Sequence, residues 1–157
     1  MSMTPAVKVL QAAKVAFTLH SYEHDPRAEA FGPETVEKLG VDAARVFKTL
    51  VAEVDGKCVF AIVPVAGRLD LKALAKAAGG KHADMADPAV AQRLTGYIVG
   101  GISPLGGKKA LATFLDRSAL AQTTILCSAG RRGLQVELAP ADLLRLTAGQ
   151  AAEIATE

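Results

Sequence analysis

The sequence predicts an α+β fold: one domain spanning residues 1–157, with a mixed, mostly antiparallel curled sheet and helices packed around it. Three observations carry this. Two pairs of β-like runs are joined by turn residues, one pair at Asp55-Gly56 and the other across the segment 128–133. Capping residues open helices at irregular intervals between the strands. The repeated strand-helix-strand rhythm of a doubly wound fold is missing. Half of the 157 residues are apolar, which is ample for a core. No internal repeat, low-complexity tract or linker interrupts the chain.

The elements follow in order. Thr4-Pro5 reads as an N-cap and first helical residue, opening a helix to about Lys14. The alternation from Phe17 to Tyr22 reads as a strand. Gly32-Pro33 opens a short helix that ends at Gly40. Val46 to Val54, Asp55-Gly56 and Lys57 to Val65 form the clearest hairpin. Asp70 caps a helix from Leu71 to Ala78, stopped by Gly79-Gly80. Asp87-Pro88 caps another that ends near Gly96. Tyr97 to Val99 is expected as a strand. Thr123 to Cys127 and Leu134 to Leu138 form a second hairpin, and Pro140 starts a last helix to about Leu146.

Composition excludes several classes. A net charge of +2 permits a polyanionic partner without announcing one, and nothing marks a DNA-binding protein. The longest apolar run, Val59 to Gly67, is broken by Pro64 and is far too short to span a membrane. The first nine residues lack the pattern of a signal peptide. Cys58 and Cys127 sit in apolar runs and are expected as buried free thiols. A cytoplasmic protein is the expectation.

Five glycines crowd residues 96–107, where Ile98-Val99 runs into Gly100-Gly101-Ile102-Ser103-Pro104-Leu105-Gly106-Gly107. Uncovered N–H groups at such a turn can face an acyl oxygen or a phosphate. The known motifs do not fit. Gly101 to Gly106 has the spacing of a phosphate-binding loop, but Gly107 stands where lysine is required. Ser103 is followed by Pro104 and lacks the closing glycine of a nucleophile elbow, so it reads as a turn hydroxyl. His20 and His24 lie on a strand and turn, His82 is distant, and no C-x-x-C occurs, so no metal is expected. Two tyrosines, five phenylalanines and no tryptophan supply little for base stacking.

Lys48 remains. Alternation on a strand puts Phe47 and Thr49 on one side and Lys48 and Leu50 on the other. Lys48 therefore either points inward with Leu50 and wants an anion, or snorkels to water at the strand end.

The chain resembles the YbaK-type Cys-tRNA(Pro) deacylases, relatives of the editing domain inserted in many bacterial prolyl-tRNA synthetases. The resemblance spans nearly the whole sequence. It rests on Thr4-Pro5-Ala6, Tyr22-Glu23-His24-Asp25-Pro26, Phe31-Gly32, Phe47-Lys48-Thr49-Leu50, Leu69-Asp70-Leu71-Lys72 and Met85-Ala86-Asp87-Pro88. It continues through Thr95-Gly96-Tyr97 to Gly106, Arg132-Gly133-Leu134 and Glu137-Leu138. The Lys-Thr pair and the Gly-Gly-Ile-Ser-Pro-Leu-Gly string are its most specific parts, and the Lys-Thr pair favours the cysteinyl branch.

The resemblance implies a site at the mouth of the sheet built from Tyr22, Phe31, Lys48, Thr49 and Gly100, with Gly101 and Ser128 nearby. Relatives can carry Asp where this chain has Gln135, so Gln135 is left out of the expected site. The implied substrate is the acceptor end of tRNA(Pro) carrying cysteine, with prolyl-tRNA synthetase as a transient partner and no cofactor. In the implied mechanism the substrate thiol attacks its own ester carbonyl and forms a thiolactone. The N–H groups of Gly100 and Gly101 are expected to hold the oxyanion and Lys48 the terminal phosphate or ribose. Tyr22 and Phe31 are expected to wall the pocket, and Thr49 to orient the substrate. Lys108-Lys109 and Arg131-Arg132 either meet acceptor-stem phosphates or are solvated charges. Competing readings are a hydrolase for alanyl or seryl tRNA that uses activated water, and a non-catalytic module that binds tRNA or synthetase.

Overall fold

The computed structural model describes residues 3–27 and 31–157, with the side chain of Phe31 excepted. Its helices are α1 (Pro5–Ala13), α2 (Phe31–Leu39), α3 (Leu71–Ala77), α4 (Pro88–Thr95) and α5 (Pro140–Thr147). Its strands are β1 (Phe17–Ser21), β2 (Phe47–Val54), β3 (Lys57–Pro64), β4 (Arg68–Leu69), β5 (Ala83–Met85), β6 (Ala112–Asp116), β7 (Ile125–Arg131), β8 (Leu134–Leu138), β9 (Gln150–Ala152) and β10 (Ala155–Thr156). The expected α+β architecture is present. No helix among the described residues is long and apolar enough to cross a membrane.

The caps read from the sequence form. Thr4 Oγ1 accepts the Val7 N–H and donates to the Ala129 carbonyl, which ties the start of α1 to β7. Asp70 caps α3 through the Ala73 N–H, and Asp87 caps α4 through Ala89. Gly96 ends α4 in the left-handed conformation.

The strands run β1-β8-β7, β5-β2-β3-β6-β9 and β10-β4. All pairings are antiparallel except β3 with β6 and β6 with β9. A parallel bridge between Val46 and Leu126 brings the start of β2 against β7. This seam positions the site.

Alternation along β2 and β3 sorts side chains between two cores. Val59, Ala61 and Val63 join Ala52, Val54, Leu74 and Phe114 on the side covered by α3. Ile62 and Phe47 face the other way, into a core shared with α1, β7, β8 and α5. A third cluster gathers Val51, Phe60, Ala91, Tyr97 and Ile102 under α4. β3 is buried on both faces, so its sequence is almost continuously apolar.

Two expectations need correction, and one strand had no expectation. Tyr97 to Val99 is not a strand: side chains rather than a neighbouring strand take up this segment's polar groups. The Thr95 hydroxyl accepts the Tyr97 N–H, the Gln92 carboxamide accepts the Val99 N–H, and the Tyr97 hydroxyl donates to the Leu105 carbonyl. The second hairpin is tighter than expected, because β7 continues to Arg131 and only Arg132-Gly133 turn. β6 was not anticipated. It lies in parallel between β3 and β9, where burial leaves no polar alternation to read.

Candidate active site

Between β2, the start of α2, the segment 85–88, the loop 99–102 and the paired strands β7 and β8 lies a cavity of about 410 Å³. Val46, Phe47, Leu50, Val51, Val65, Val99 and Ile102 give it apolar walls. Lys48, Thr49, Thr35, Ser128, Gln135 and the Gly100 backbone supply the polar groups, the mixture expected of a small-molecule site. Gly32 lets α2 approach, since a Cβ there would stand 2.6 Å from Val65 Cγ1. A second cleft, about 560 Å³, is lined by Cys58, Leu94, Leu111, Phe114 and neighbouring aliphatic groups. Its charged groups are lysines and it lacks a convergent polar set, so the chemistry belongs to the first.

Two polar atoms define the first cavity. Thr49 Oγ1 and Gln135 Oε1 are buried, and neither has a hydrogen-bond partner within the protein. A buried orphan acceptor costs roughly 1–3 kcal/mol, so a fold that keeps two of them in one cavity is arranged to satisfy them with something else. Thr49 shares a face of β2 with Phe47 and Val51, and residues of both faces of the strand, Lys48 and Leu50 included, border the cavity. Gln135 pairs in register with Ser128 across β7 and β8. Ser128 Oγ accepts the Gly130 N–H at 3.2 Å.

Lys48 is half-buried, and its ammonium donates to the Gly67 carbonyl at 3.1 Å. It neither meets an anion nor swings freely into water. Burial lowers its pKa, and the Arg68 charge lowers it further. Lys48 thus lines the cavity with the Arg68 charge near it, and no carboxylate among the described residues ion-pairs with either.

The glycine loop has a defined geometry. The Gly101 N–H donates to the Ile98 carbonyl at 2.8 Å, and Gly100 has φ +91°. Val99 is not among the residues with positive φ, so this is a type II turn with Gly100 at its third position. The expectation of two amide donors is corrected here, because the turn's own hydrogen bond uses the Gly101 N–H. Gly101 is glycine for another reason: a Cβ would stand 2.8 Å from the Arg132 nitrogen. Gly106, at φ +72°, packs against α1, where a Cβ would lie 2.5 Å from the Pro5 carbonyl carbon. The Gly100 N–H has no partner among the described residues. The Val99 carbonyl of the same peptide accepts from Arg132 Nε at 2.9 Å.

Of the expected residues, Lys48, Thr49, Gly100 and Ser128 border one cavity. Tyr22 stands behind its wall. Its hydroxyl bonds the Thr35 hydroxyl at 2.7 Å, and its ring lies 5.7 Å from the Lys38 ammonium. Burial raises the Tyr22 pKa. The Phe31 side chain lies outside the described residues. Gln135, left out of the expected site because relatives can carry Asp there, is buried and lines the cavity as well, on a strand whose Leu134, Val136 and Leu138 face the core.

The chemically reactive side chains elsewhere are engaged or sealed. Ser103 is fully buried, and its hydroxyl accepts the Leu105 N–H. Cys127 is fully buried, and burial pushes its thiol up to about 12. His20 pairs with Glu137 and His24 with Glu34, on separate contacts. Among the described residues no three His, Cys, Asp or Glu side chains gather as a metal site would require.

Comparisons with known proteins converge. A family model described as the aminoacyl-tRNA editing domain matches residues 26–146. EbsC of Enterococcus faecalis, a candidate Cys-tRNA(Pro)/Cys-tRNA(Cys) deacylase, is 43% identical, with 98% of this chain and 94% of EbsC covered. The solved structure of the hypothetical protein APE2540 superposes with a TM-score of 0.87 at 23% identity, covering 98% of this chain and 100% of that one. A candidate trans-editing enzyme for prolyl-tRNA synthetase superposes with a TM-score of 0.83 at 23% identity, covering 99% and 100%. These two likenesses establish the fold, and the family match spans the strands and loops that build the cavity. The chain belongs to the aminoacyl-tRNA editing domain family.

Proposed function

We propose that this protein is a trans-editing deacylase that removes cysteine from mischarged tRNA(Pro). The observation that carries the reading is the cavity itself. It joins Gly100, the orphan oxygens of Thr49 and Gln135, and Lys48, and among the described residues it holds no activated protein nucleophile. Such a site can hold and polarise an acyl ester but depends on the substrate or on water for the attacking atom. The relative EbsC, named for Cys-tRNA(Pro) and Cys-tRNA(Cys), supports cysteine as the amino acid.

The substrate thiol supplies the attack. At pKa about 8.5, a few per cent is thiolate near neutral pH. Its proton passes to solvent, and the sulfur adds to the ester carbonyl. The Gly100 N–H stabilises the resulting oxyanion, a contribution typically of about 3–4 kcal/mol for one donor. The C–O bond to the ribose then breaks, and the ribose oxygen takes up a proton as tRNA departs. The cysteinyl thiolactone left behind is opened by water. Holding sulfur against the carbonyl is worth up to roughly 7–11 kcal/mol, part of it offset by strain in the four-membered ring.

Gln135 Oε1 and Thr49 Oγ1 accept from the substrate ammonium, Ser128 borders the acyl group, and Lys48 faces the ribose or phosphate of the tRNA end. Tyr22 belongs to the supporting wall. A pocket alone separates small side chains by only about 1–3 kcal/mol, so dependence on the thiol protects alanyl and seryl esters. The net charge of +2 is modest for selecting a tRNA unaided, so the reading includes a transient complex with prolyl-tRNA synthetase in the cytoplasm.

The test is a deacylation panel of Cys-, S-methyl-Cys-, Ala- and Ser-tRNA(Pro), with and without the synthetase. Rapid loss of cysteine alone is expected. Equal cleavage of the S-methylated ester excludes attack by the thiol. Preferential cleavage of alanyl or seryl ester makes the protein a water-using hydrolase of another mischarged tRNA. Binding without any ester loss makes it a non-catalytic module.

A further inference from the structure

A type II turn leaves its central peptide unused, because the closing hydrogen bond runs between its first and fourth residues. Here that bond joins the Ile98 carbonyl and the Gly101 N–H. The leftover groups are the Val99 carbonyl and the Gly100 N–H, which belong to one peptide plane. This peptide is trans, so the two point in opposite directions. Arg132 Nε takes the Val99 carbonyl at 2.9 Å, on the side of the β7–β8 turn. The Gly100 N–H is thereby directed away from Arg132, and Gly100 itself lines the cavity.

Glycine at the third position of a turn does not fix this orientation by itself. Type I and type II turns differ by a flip of the central peptide of about 180°, and glycine tolerates both. After a flip, the Val99 carbonyl would face the cavity where the N–H now stands. An oxyanion there would then meet a lone pair rather than a donor. Something outside the turn must choose.

We infer that Arg132 is the positioning residue for the oxyanion donor: its guanidinium locks the Val99–Gly100 peptide with the N–H facing the substrate, and polarises it. A charged donor on the carbonyl makes the N–H of the same amide a stronger donor. The anchor is rigid. A Cβ at Gly101 would stand 2.8 Å from the Arg132 nitrogen, and the neighbouring Gly133 carbonyl accepts the Tyr22 N–H at 2.9 Å. The turn bearing Arg132 is therefore held between the glycine loop and the end of β1.

The inference rests on the proposed deacylase reading and is tested separately from it. In Arg132→Ala, kcat for Cys-tRNA(Pro) is expected to fall roughly 10- to 100-fold, somewhat less than the loss of a donor outright. The Kd of an amide-linked cysteinyl-adenosine analogue is expected to stay within about threefold, since ground-state binding does not depend on the oxyanion. Guanidinium ion should restore part of kcat in Arg132→Ala, and Arg132→Lys should retain less than arginine because the fork geometry is lost. The Gly100 amide resonance in a ¹⁵N spectrum should shift in both variants. A kcat within twofold of wild type, or a Gly100 resonance that does not move, overturns the assignment. If the wild-type protein cleaves none of the esters, the deacylase reading falls, and the Gly100 resonance alone decides the role of Arg132.

Discussion

Thr49 Oγ1 and Gln135 Oε1 approach one cavity from different sheets, and each is buried without a protein partner. One belongs to β2 and the other to β8, strands of two sheets that meet where Val46 bridges Leu126 of β7. A polar floor assembled from two sheets is a costly arrangement for a protein at rest. It becomes favourable once a donor enters, and a substrate ammonium carries three.

This relationship predicts a trade between stability and activity. Gln135→Leu removes a buried orphan acceptor and should raise stability by about 1 kcal/mol, since an apolar group of similar size no longer needs a partner. The same change should lower kcat/KM on Cys-tRNA roughly 10- to 100-fold through the lost charge-assisted hydrogen bond. Thermal melts and single-turnover kinetics check the two halves. A variant that loses activity without gaining stability, or gains stability without losing activity, contradicts the paired expectation.

Lys48→Ala should reduce deacylation by about two orders of magnitude, in line with loss of a preorganised charge in a half-buried site. Lys48→Arg should not restore wild-type turnover. The ammonium reaches the Gly67 carbonyl as a compact donor, and a planar guanidinium beside Arg68 does not fit that geometry. Kinetics at two ionic strengths check this, with the salt dependence weaker in the alanine variant.

The crowded glycines divide by reason. Gly106→Ala should destabilise by roughly 2–4 kcal/mol, combining a positive φ with a clash against the backbone of Pro5. Gly101→Ala should cost about 1–3 kcal/mol by pushing the loop off Arg132. Gly56→Ala, with φ +84° but open space around it, should cost only about 1 kcal/mol. Denaturant melts rank the three, and Gly56→Ala matching Gly106→Ala would contradict the packing argument.

Acid stability should depend on Glu137. The Thr124 hydroxyl, His20 and Arg45 hold its carboxyl at a pKa of about 2, against an ordinary 4.5. A depressed folded-state value means that the stabilisation is fully present above pH 4.5 and is lost as pH falls toward 2. Since the carboxylate is partly exposed, its contribution after solvent screening is about 1–2 kcal/mol. Glu137→Gln should lower the melting temperature at pH 7 and flatten the decline between pH 5 and pH 2. Melting curves across that range read the effect, and an unchanged slope would show that the network does not govern it.

Much of this protein is legible along the chain. Thr4, Asp70 and Asp87 announce their helices because a cap is a contact within three residues. Asp55-Gly56 announces the β2–β3 hairpin because its turn demands positive φ at both residues, and both adopt it. Alternation put Thr49 with Phe47 and opposite Lys48. These are local properties, decided over a few peptide units.

Tertiary structure decided the rest. Whether Lys48 met an anion, water or a carbonyl depended on Gly67, far along the chain and across a hairpin. Gln135, set aside because relatives can carry Asp there, is buried in the cavity with its Oε1 unpartnered. The Gly101 amide looked available until a turn with Ile98 consumed it, and Arg132, open between a phosphate contact and a solvated charge, donates instead to the Val99 carbonyl. The physical reason is common to all four. A sequence specifies the donors and acceptors that a residue carries, but only packing across sheets determines which are satisfied at home and which are left facing a ligand.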